Sequence, residues 1–317
     1  MTPDQSSEAR PGTLEIWREL DPLVKRLFVG VVMSAVGSGL TMPFLYKYLT
    51  GPRHIDGAVV GWIMAYMGLL GFCLGPLAGS LIDRFGPRPI MLVGLVVEMS
   101  GVFMLGFVQS VSQIVLVASW VVMGTIGLWP AATAMMTRLI REEHRETVYG
   151  LQFMIMNAGL GVGGMLSSVL LPSETVGNFQ RLYVVNAAAY LAYIVVVASL
   201  PRGTGGRPRE STLGAPASEE GGPAGDGAVT AESGGWAEVV RDRAAMRVVG
   251  VSVLVLVFGY AQFEIGFPAY ATDIAGVPTN RLGWAFGANT AAIVVGQVLA
   301  LKRIAGRRRW PPCWPRT

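Results

Sequence analysis

The sequence has few of the residues from which enzymes and metal sites are usually built. It contains only two cysteines and two histidines in 317 residues. Cys73 lies in an apolar run and Cys313 near the end of the chain, which gives no basis for a disulfide. Cysteine and histidine show no spacing typical of a metal site. We therefore expect no metal, no cofactor and no enzymatic activity.

Charged residues are also scarce, at 15% of the chain against about 25% in ordinary soluble domains. Residues 57–82 contain no charge, and residues 89–108 contain only Glu98. Such runs are apolar on nearly every side, and each is long enough for the hydrocarbon core of a bilayer, which about 20 helical residues cross. Because runs of this length satisfy their backbone hydrogen bonds in hydrocarbon as helices, the sequence predicts an all-α polytopic membrane protein.

Eight apolar segments are long enough to be membrane-spanning helices. Six precede a segment of different composition, and two follow it. The predicted spans are residues 27–46, 57–82, 89–108, 111–137, 147–171, 182–200, 248–272 and 282–301.

The basic residues lie mostly on one side of these spans. With the N-terminus in the cytoplasm, 21 of the 25 lysines and arginines are cytoplasmic, and the other side holds only Lys47, Arg53, Arg181 and Arg281. The positive-inside rule therefore predicts a multi-pass protein of the inner (plasma) membrane with a cytoplasmic N-terminus. Since the net charge of +4 arises from these loops, the lipid bilayer is the expected partner and nucleic acid is not.

The segment between the two groups of spans differs in composition from the rest. Residues 201–243 hold ten glycines and four prolines and almost no bulky side chains, which predicts a disordered cytoplasmic linker. The remaining predicted regions are a cytoplasmic tail at 1–25, a six-helix bundle at 26–200, two further helices at 244–304, and an aberrant basic, proline-rich tail at 305–317.

The two groups of spans begin in a similar way. Pro43 matches Pro268, and Gly61-Trp62 matches Gly283-Trp284, at an offset of about 222 residues. Such duplication is typical of transporters built from repeats. Four further spans would complete the second repeat, whereas the chain ends RIAGRRRWPPCWPRT, which cannot cross a membrane.

A short charged stretch, GSLIDRFGPR, joins the second and third predicted spans. It resembles the loop 2–3 signature of the major facilitator superfamily, which has the same spacing and the same place on the basic side. The matching residues are Gly79, Asp83, Arg84, Gly86 and Arg88. The resemblance implies that Asp83 is a gating residue that helps to latch two halves of a transporter in the outward-open state. A tight turn with a cytoplasmic charge cluster is the alternative.

The wider architecture resembles the same family. GLTMP at 39–43 and YAQFE at 260–264 are similar to bacterial multidrug efflux members, the drug:proton antiporters. The implied fold is a six-helix N-terminal bundle followed by the first two helices of a second bundle. The arginine of the family's fourth span is absent here, and Trp120 stands in its place.

Two carboxylic acids, Glu98 and Glu264, lie deep inside predicted spans. A charged side chain that faces lipid at this depth costs about 2.5 kcal/mol or more. Burial favours the neutral acid, which suits proton exchange, so we predict that protons are a partner and that these residues are candidates for proton coupling. The alternative is a neutral glutamate hydrogen-bonded to a neighbouring helix.

Several polar or aromatic residues within the spans are candidates for lining a substrate cavity. A large, weakly polar cavity suits small amphipathic compounds better than sugars. For each residue alone, an interhelical hydrogen bond is the alternative. The candidates are Thr41, Tyr66, Trp129, Asn157, Tyr260, Gln262 and Asn289.

The predicted function is therefore secondary active transport, with proton-coupled efflux of small amphipathic compounds by alternating access. The alternative is a truncated product that does not transport, or a membrane subunit that assembles with other chains. Alternating access uses two comparable bundles, so the sequence predicts no coupled transport by this chain on its own.

Overall fold

The computed structural model describes residues 17–18, 20–140, 144–201, 242–255, 258–259, 262 and 266–304. Every regular element in these ranges is helical, which confirms the all-α prediction. The principal helices are α1 (Pro22–Thr50), α2 (Gly57–Phe85), α3 (Pro87–Leu105), α4 (Val111–Leu139), α5 (Arg145–Leu170), α6 (Val176–Ala198), α7 (Arg243–Val255) and α8 (Thr279–Ile304). A 3-10 turn at Met42–Phe44 interrupts α1, and a short helical segment, Phe267–Ala269 with Tyr270–Ile274, precedes α8.

Six helices, α1 to α6, are long and apolar enough to cross a membrane, and they lie where the first six spans were predicted. The sixth begins at Val176, earlier than the predicted 182. In the seventh predicted span the regular helix α7 ends at Val255, and several residues beyond it lie outside the described ranges. The eighth predicted span corresponds to α8, a helix of 26 residues.

Polar side chains mark the starts of several of these helices. The first backbone N–H groups of a helix have no partner within it, and a side-chain oxygen just before the helix can accept from them. Asp21, Asp56, Ser110 and Thr175 make such contacts at α1, α2, α4 and α6. These capping contacts therefore define the residue at which each of these four helices begins.

Helices α1 to α6 of the first bundle are connected by a series of pairwise contacts. α1 lies against α5 and α6, α6 also contacts α3, α3 contacts α4, and α4 contacts α2. Small residues allow these approaches, since a side chain on Gly124 would stand 2.6 Å from the backbone nitrogen of Glu98. The close contact between α3 and α4 fixes the position of Glu98.

Helix α8 attaches to the first bundle through α5. Gly283 of α8 lies directly against the backbone of Gly164, and Gly287 lies against Met165.

Helix α2 is the least buried of the six long apolar helices. Only 11% of its most apolar 18-residue stretch is buried, against 39% or more in the other five.

Candidate functional site

Glu98 lies in the middle of α3 with only 3% of its surface exposed. Its carboxyl group is held by two hydroxyl groups from neighbouring helices. Thr125 of α4 donates from Oγ1 to Glu98 Oε2 at 2.6 Å, and Tyr190 of α6 donates from its hydroxyl to Glu98 Oε1 at 3.3 Å. Glu98 therefore faces the interior of the bundle, as its cost in lipid requires.

The same hydrogen-bonded group reaches α1. The Tyr190 hydroxyl lies 3.0 Å from Ser38 Oγ, and either atom can donate. One turn further along α1, Thr41 Oγ1 accepts from Asn186 Nδ2 of α6 at 2.8 Å. We call these six residues the core polar cluster: Ser38, Thr41, Glu98, Thr125, Asn186 and Tyr190.

The core polar cluster is built from hydroxyl, amide and carboxyl groups. In the part of the chain that the structure describes, the ion pairs involve other residues, and none includes Glu98. In an apolar interior an uncompensated carboxylate is costly, and a proton or hydrogen-bond donors must offset that cost. The arrangement can therefore bind a proton, and it supplies donors to the ionised form.

The charged stretch between α2 and α3 forms a tight turn. Gly86, with φ of +84°, ends α2 and precedes α3, and this left-handed conformation favours glycine. Arg88 donates from Nη2 to the carbonyl oxygens of Ala198 at 3.1 Å and Leu200 at 2.8 Å. The turn is thereby joined to the end of α6, where the carbonyl groups lack helical partners.

The other residues of this stretch make fewer contacts. Arg84 lies over the ring of Phe85, 5.3 Å from its centroid. Asp83 is exposed and has no hydrogen bond or ion pair to the described residues. A side chain on Gly79 would meet open space. The gating role of Asp83 stays a prediction.

The candidate cavity residues occupy separate surroundings. Thr41 belongs to the core polar cluster, while the Tyr66 hydroxyl pairs with Ser119 Oγ at 2.8 Å between α2 and α4. Asn157 is buried and donates to Phe153 of its own helix. Trp129 and Asn289 are half-buried and Gln262 is exposed, whereas Tyr260 and the acid Glu264 lie outside the described residues.

A second charged group, which the sequence did not predict, lies at the far end of the bundle from Arg88. Lys47 Nζ lies 3.6 Å from Asp273 Oδ1 and 4.0 Å from a Glu174 carboxylate oxygen. The Tyr46 hydroxyl donates to Asp273 at 3.0 Å, and Thr279 Oγ1 donates to Glu174. These five residues, the outer ion cluster, join the end of α1 to the α5–α6 loop and to the segment before α8.

Comparison of the sequence with known protein families identifies the family of this chain. Residues 27–315 match the Major Facilitator Superfamily. The MFS-type transporter YqjV of Bacillus subtilis is 23% identical over 288 residues, which cover 89% of this chain and 64% of the relative. The multidrug resistance protein MdtH of Aeromonas hydrophila is 30% identical over 271 residues, 82% of this chain and 59% of the relative.

A third relative matches over a shorter region. The quinolone resistance protein NorA of Staphylococcus aureus is 24% identical over 177 residues, 54% of this chain and 43% of the relative. The chain spans less than two thirds of the length of each of these three relatives.

Proposed function

Because this chain belongs to the major facilitator superfamily, we propose that it carries the first bundle of a secondary active transporter that exports small amphipathic compounds in exchange for protons. Members of this family are multi-pass membrane transporters and not enzymes. Two of the relatives are described as multidrug or quinolone resistance proteins, which supports export of varied small molecules. A weakly polar bundle interior suits such compounds.

Glu98 carries the proposal of proton coupling. It is a buried acid whose hydrogen bonds join α3 to α4 and α6. A change in its charge therefore acts on three helices of the bundle that rocks against its partner bundle during alternating access. Glu264 is the second candidate on the strength of its place in the seventh predicted span.

The orientation is also a proposal. The distribution of the basic residues supports a cytoplasmic N-terminus and a cytoplasmic turn at Arg88. The outer ion cluster then lies on the opposite side, which holds Lys47 as one of its four basic residues.

The first test measures export of ethidium, a small amphipathic cation, from cells that produce this chain. Since alternating access uses two comparable bundles, we expect no coupled export from the chain on its own, and export by it would contradict that expectation. Where export is observed, in the chain or in a complete transporter that contains it, it stops when an uncoupler removes the proton gradient, and Glu98→Gln lowers it at least tenfold. Thr137→Val serves as the matched control in α4, because Thr137 bonds to Thr133 and Tyr149 and not to Glu98. Export that continues undiminished in the uncoupler contradicts proton coupling.

A second candidate function is that of a membrane subunit that works only with another chain. The sparse burial of α2 favours it, since Trp62 and Phe72 are 77% and 76% exposed. Under this alternative, cells that produce only this chain export no ethidium, and the chain purified gently from its native membrane has the mass of a complex. Export by the chain alone excludes this alternative.

A further inference from the structure

We propose that Thr125 and Tyr190 are positioning residues that allow Glu98 to gain and lose a proton inside the folded bundle. The Tyr190 hydroxyl group turns between Glu98 and Ser38 as the charge of the carboxyl group changes, and the Thr125 hydroxyl group donates to Glu98 in both states. The inference deepens the proposed function, because this exchange would be the step that couples transport to protons.

Each of the two hydroxyl groups has a choice of acceptor. Tyr190 lies 3.3 Å from Glu98 Oε1 and 3.0 Å from Ser38 Oγ. Thr125 Oγ1 lies 2.6 Å from Glu98 Oε2 and 3.0 Å from the carbonyl oxygen of Val121. Since a hydroxyl group has one proton to donate and can also accept, each donates to one neighbour at a time.

In the ionised state both hydroxyl groups donate to the carboxylate, which has only acceptor sites. Tyr190 then accepts from Ser38, whose Oγ is within reach. Hydrogen bonds to an ionised group are stronger than those between neutral groups. They reduce the cost of leaving a charge in an apolar interior.

In the neutral state a proton from the aqueous phase binds Glu98 Oε1 and converts the carboxylate into a carboxylic acid. The new O–H donates to the Tyr190 oxygen, and Tyr190 turns its own proton to Ser38. Glu98 Oε2 still accepts from Thr125. Glu98, Thr125, Tyr190 and Ser38 are hydrogen-bonded in both states, which differ by the proton on Glu98 and by the rotation of the Tyr190 and Ser38 hydroxyl groups.

Among the described residues, the groups that face Glu98 from the helices packed against α3 carry no charge. Thr125 and Gly124 of α4 lie against Glu98. Ser38 of α1 is linked to Glu98 by way of the Tyr190 hydroxyl group. Helix α6 presents Tyr190, and Tyr193 lies further along it against Gly30. Within the described residues, therefore, no nearby basic side chain fixes Glu98 in its ionised form.

The experiment is infrared difference spectroscopy of the full chain in lipid vesicles as the pH is raised. We expect a carbonyl band of a protonated carboxylic acid that disappears at high pH, and we expect Glu98→Gln to lose this band entirely. Two results overturn the proposal. One is a Glu98 band that persists unchanged at every pH at which the protein stays folded, and the other is no Glu98 band at any pH.

Substitutions of the positioning residues test their role. In Thr125→Val the carbonyl group loses its donor, so its band moves to higher wavenumber, and Thr125→Ser, which keeps the hydroxyl group, restores it. Tyr190→Phe removes the partner of the acid O–H and shifts the band as well. Thr137→Val and Tyr149→Phe are matched controls, because these two residues bond to each other. A band that is unchanged in folded Thr125→Val and Tyr190→Phe contradicts the positioning role.

The two proposals fail in different ways. If Glu98 titrates in the spectrum but export does not depend on the proton gradient, the site stands and the proposed coupling fails. If export depends on protons but Glu98 shows no titration, the present inference fails, and Glu264 becomes the acid to test.

Discussion

At the residue scale, the position of Glu98 depends on a neighbour that has no side chain. Gly124 of α4 faces the backbone of Glu98, and an added Cβ would lie 2.6 Å from its nitrogen and 2.9 Å from its Cα. Both atoms belong to the backbone, so one helix must move to make room. That movement would separate Thr125 from the carboxyl group.

We therefore expect Gly124→Ala to destabilise the protein by about 1–3 kcal/mol, as overpacking does. The free energy of unfolding can be measured by titration with dodecyl sulfate in mixed micelles. Gly68→Ala in α2 is the matched control, because its Cβ would meet open space. Equal stability of Gly124→Ala and the control would show that α3 and α4 are farther apart than described.

The residues of the core polar cluster show how far sequence reasoning reaches at this scale. Glu98 stands out because a charge is rare inside an apolar run, and the cost of a charge that faces lipid argues for an interior position. Thr125, Tyr190 and Ser38 do not stand out, since hydroxyl groups are common in spans. Their meeting depends on the rotation and depth of three separate helices, which no local pattern encodes.

At the element scale, Arg88 joins two helices that are distant in the chain. It lies in the first turn of α3 and donates to Ala198 and Leu200 at the end of α6. Terminal carbonyl groups of a helix carry partial negative charge, so a guanidinium group is a favourable partner. Arg88 of the charged stretch thus anchors the end of α6.

We expect Arg88→Gln to loosen the end of α6. Amide hydrogen exchange of peptides covering residues 195–201 should become faster, while exchange in the middle of α6 stays unchanged. Arg84→Gln is the matched control, since Arg84 lies over Phe85 and not over α6. Slow exchange in Arg88→Gln would show that the end of α6 is held by its own packing.

The boundaries of the elements were predicted with uneven success. The first six spans were found because apolarity is continuous over about 20 residues, which few other structures need. The start of α6 was placed too late because Asn178 and Arg181 interrupt the apolar run. Both lie in the first two turns of the helix, where Thr175 caps it.

At the scale of the whole molecule, the described residues after the predicted linker meet the first bundle through α8 and the segment that precedes it. The glycines of α8 pack on α5, and the outer ion cluster links α1 to the segment before α8. The repeat predicted from the sequence did not indicate these contacts, because they depend on how the parts are placed in space. The salt bridge from Lys47 to Asp273 is partly exposed, so it contributes little to stability.

A double-mutant cycle measures that contribution. We expect Lys47→Met and Asp273→Asn to be coupled by about 0.2–1 kcal/mol in unfolding free energy at low salt, and by less at high salt. Lys47→Met combined with Asp83→Asn should be additive, since the two residues lie at opposite ends of the bundle. Additivity in the first pair would show that the salt bridge does not hold the two parts together.

The contacts at the two ends of the bundle also have a topological consequence. Arg88 ties the α2–α3 turn to the end of α6, so these two loops share one face of the membrane. Lys47, Glu174 and Asp273 tie the α1–α2, α5–α6 and α7–α8 connections to the other face. The assignment of these connections to two opposite faces follows from contact distances alone and does not use the distribution of basic residues. Labelling one loop from one side of a sealed vesicle therefore assigns the sidedness of all five.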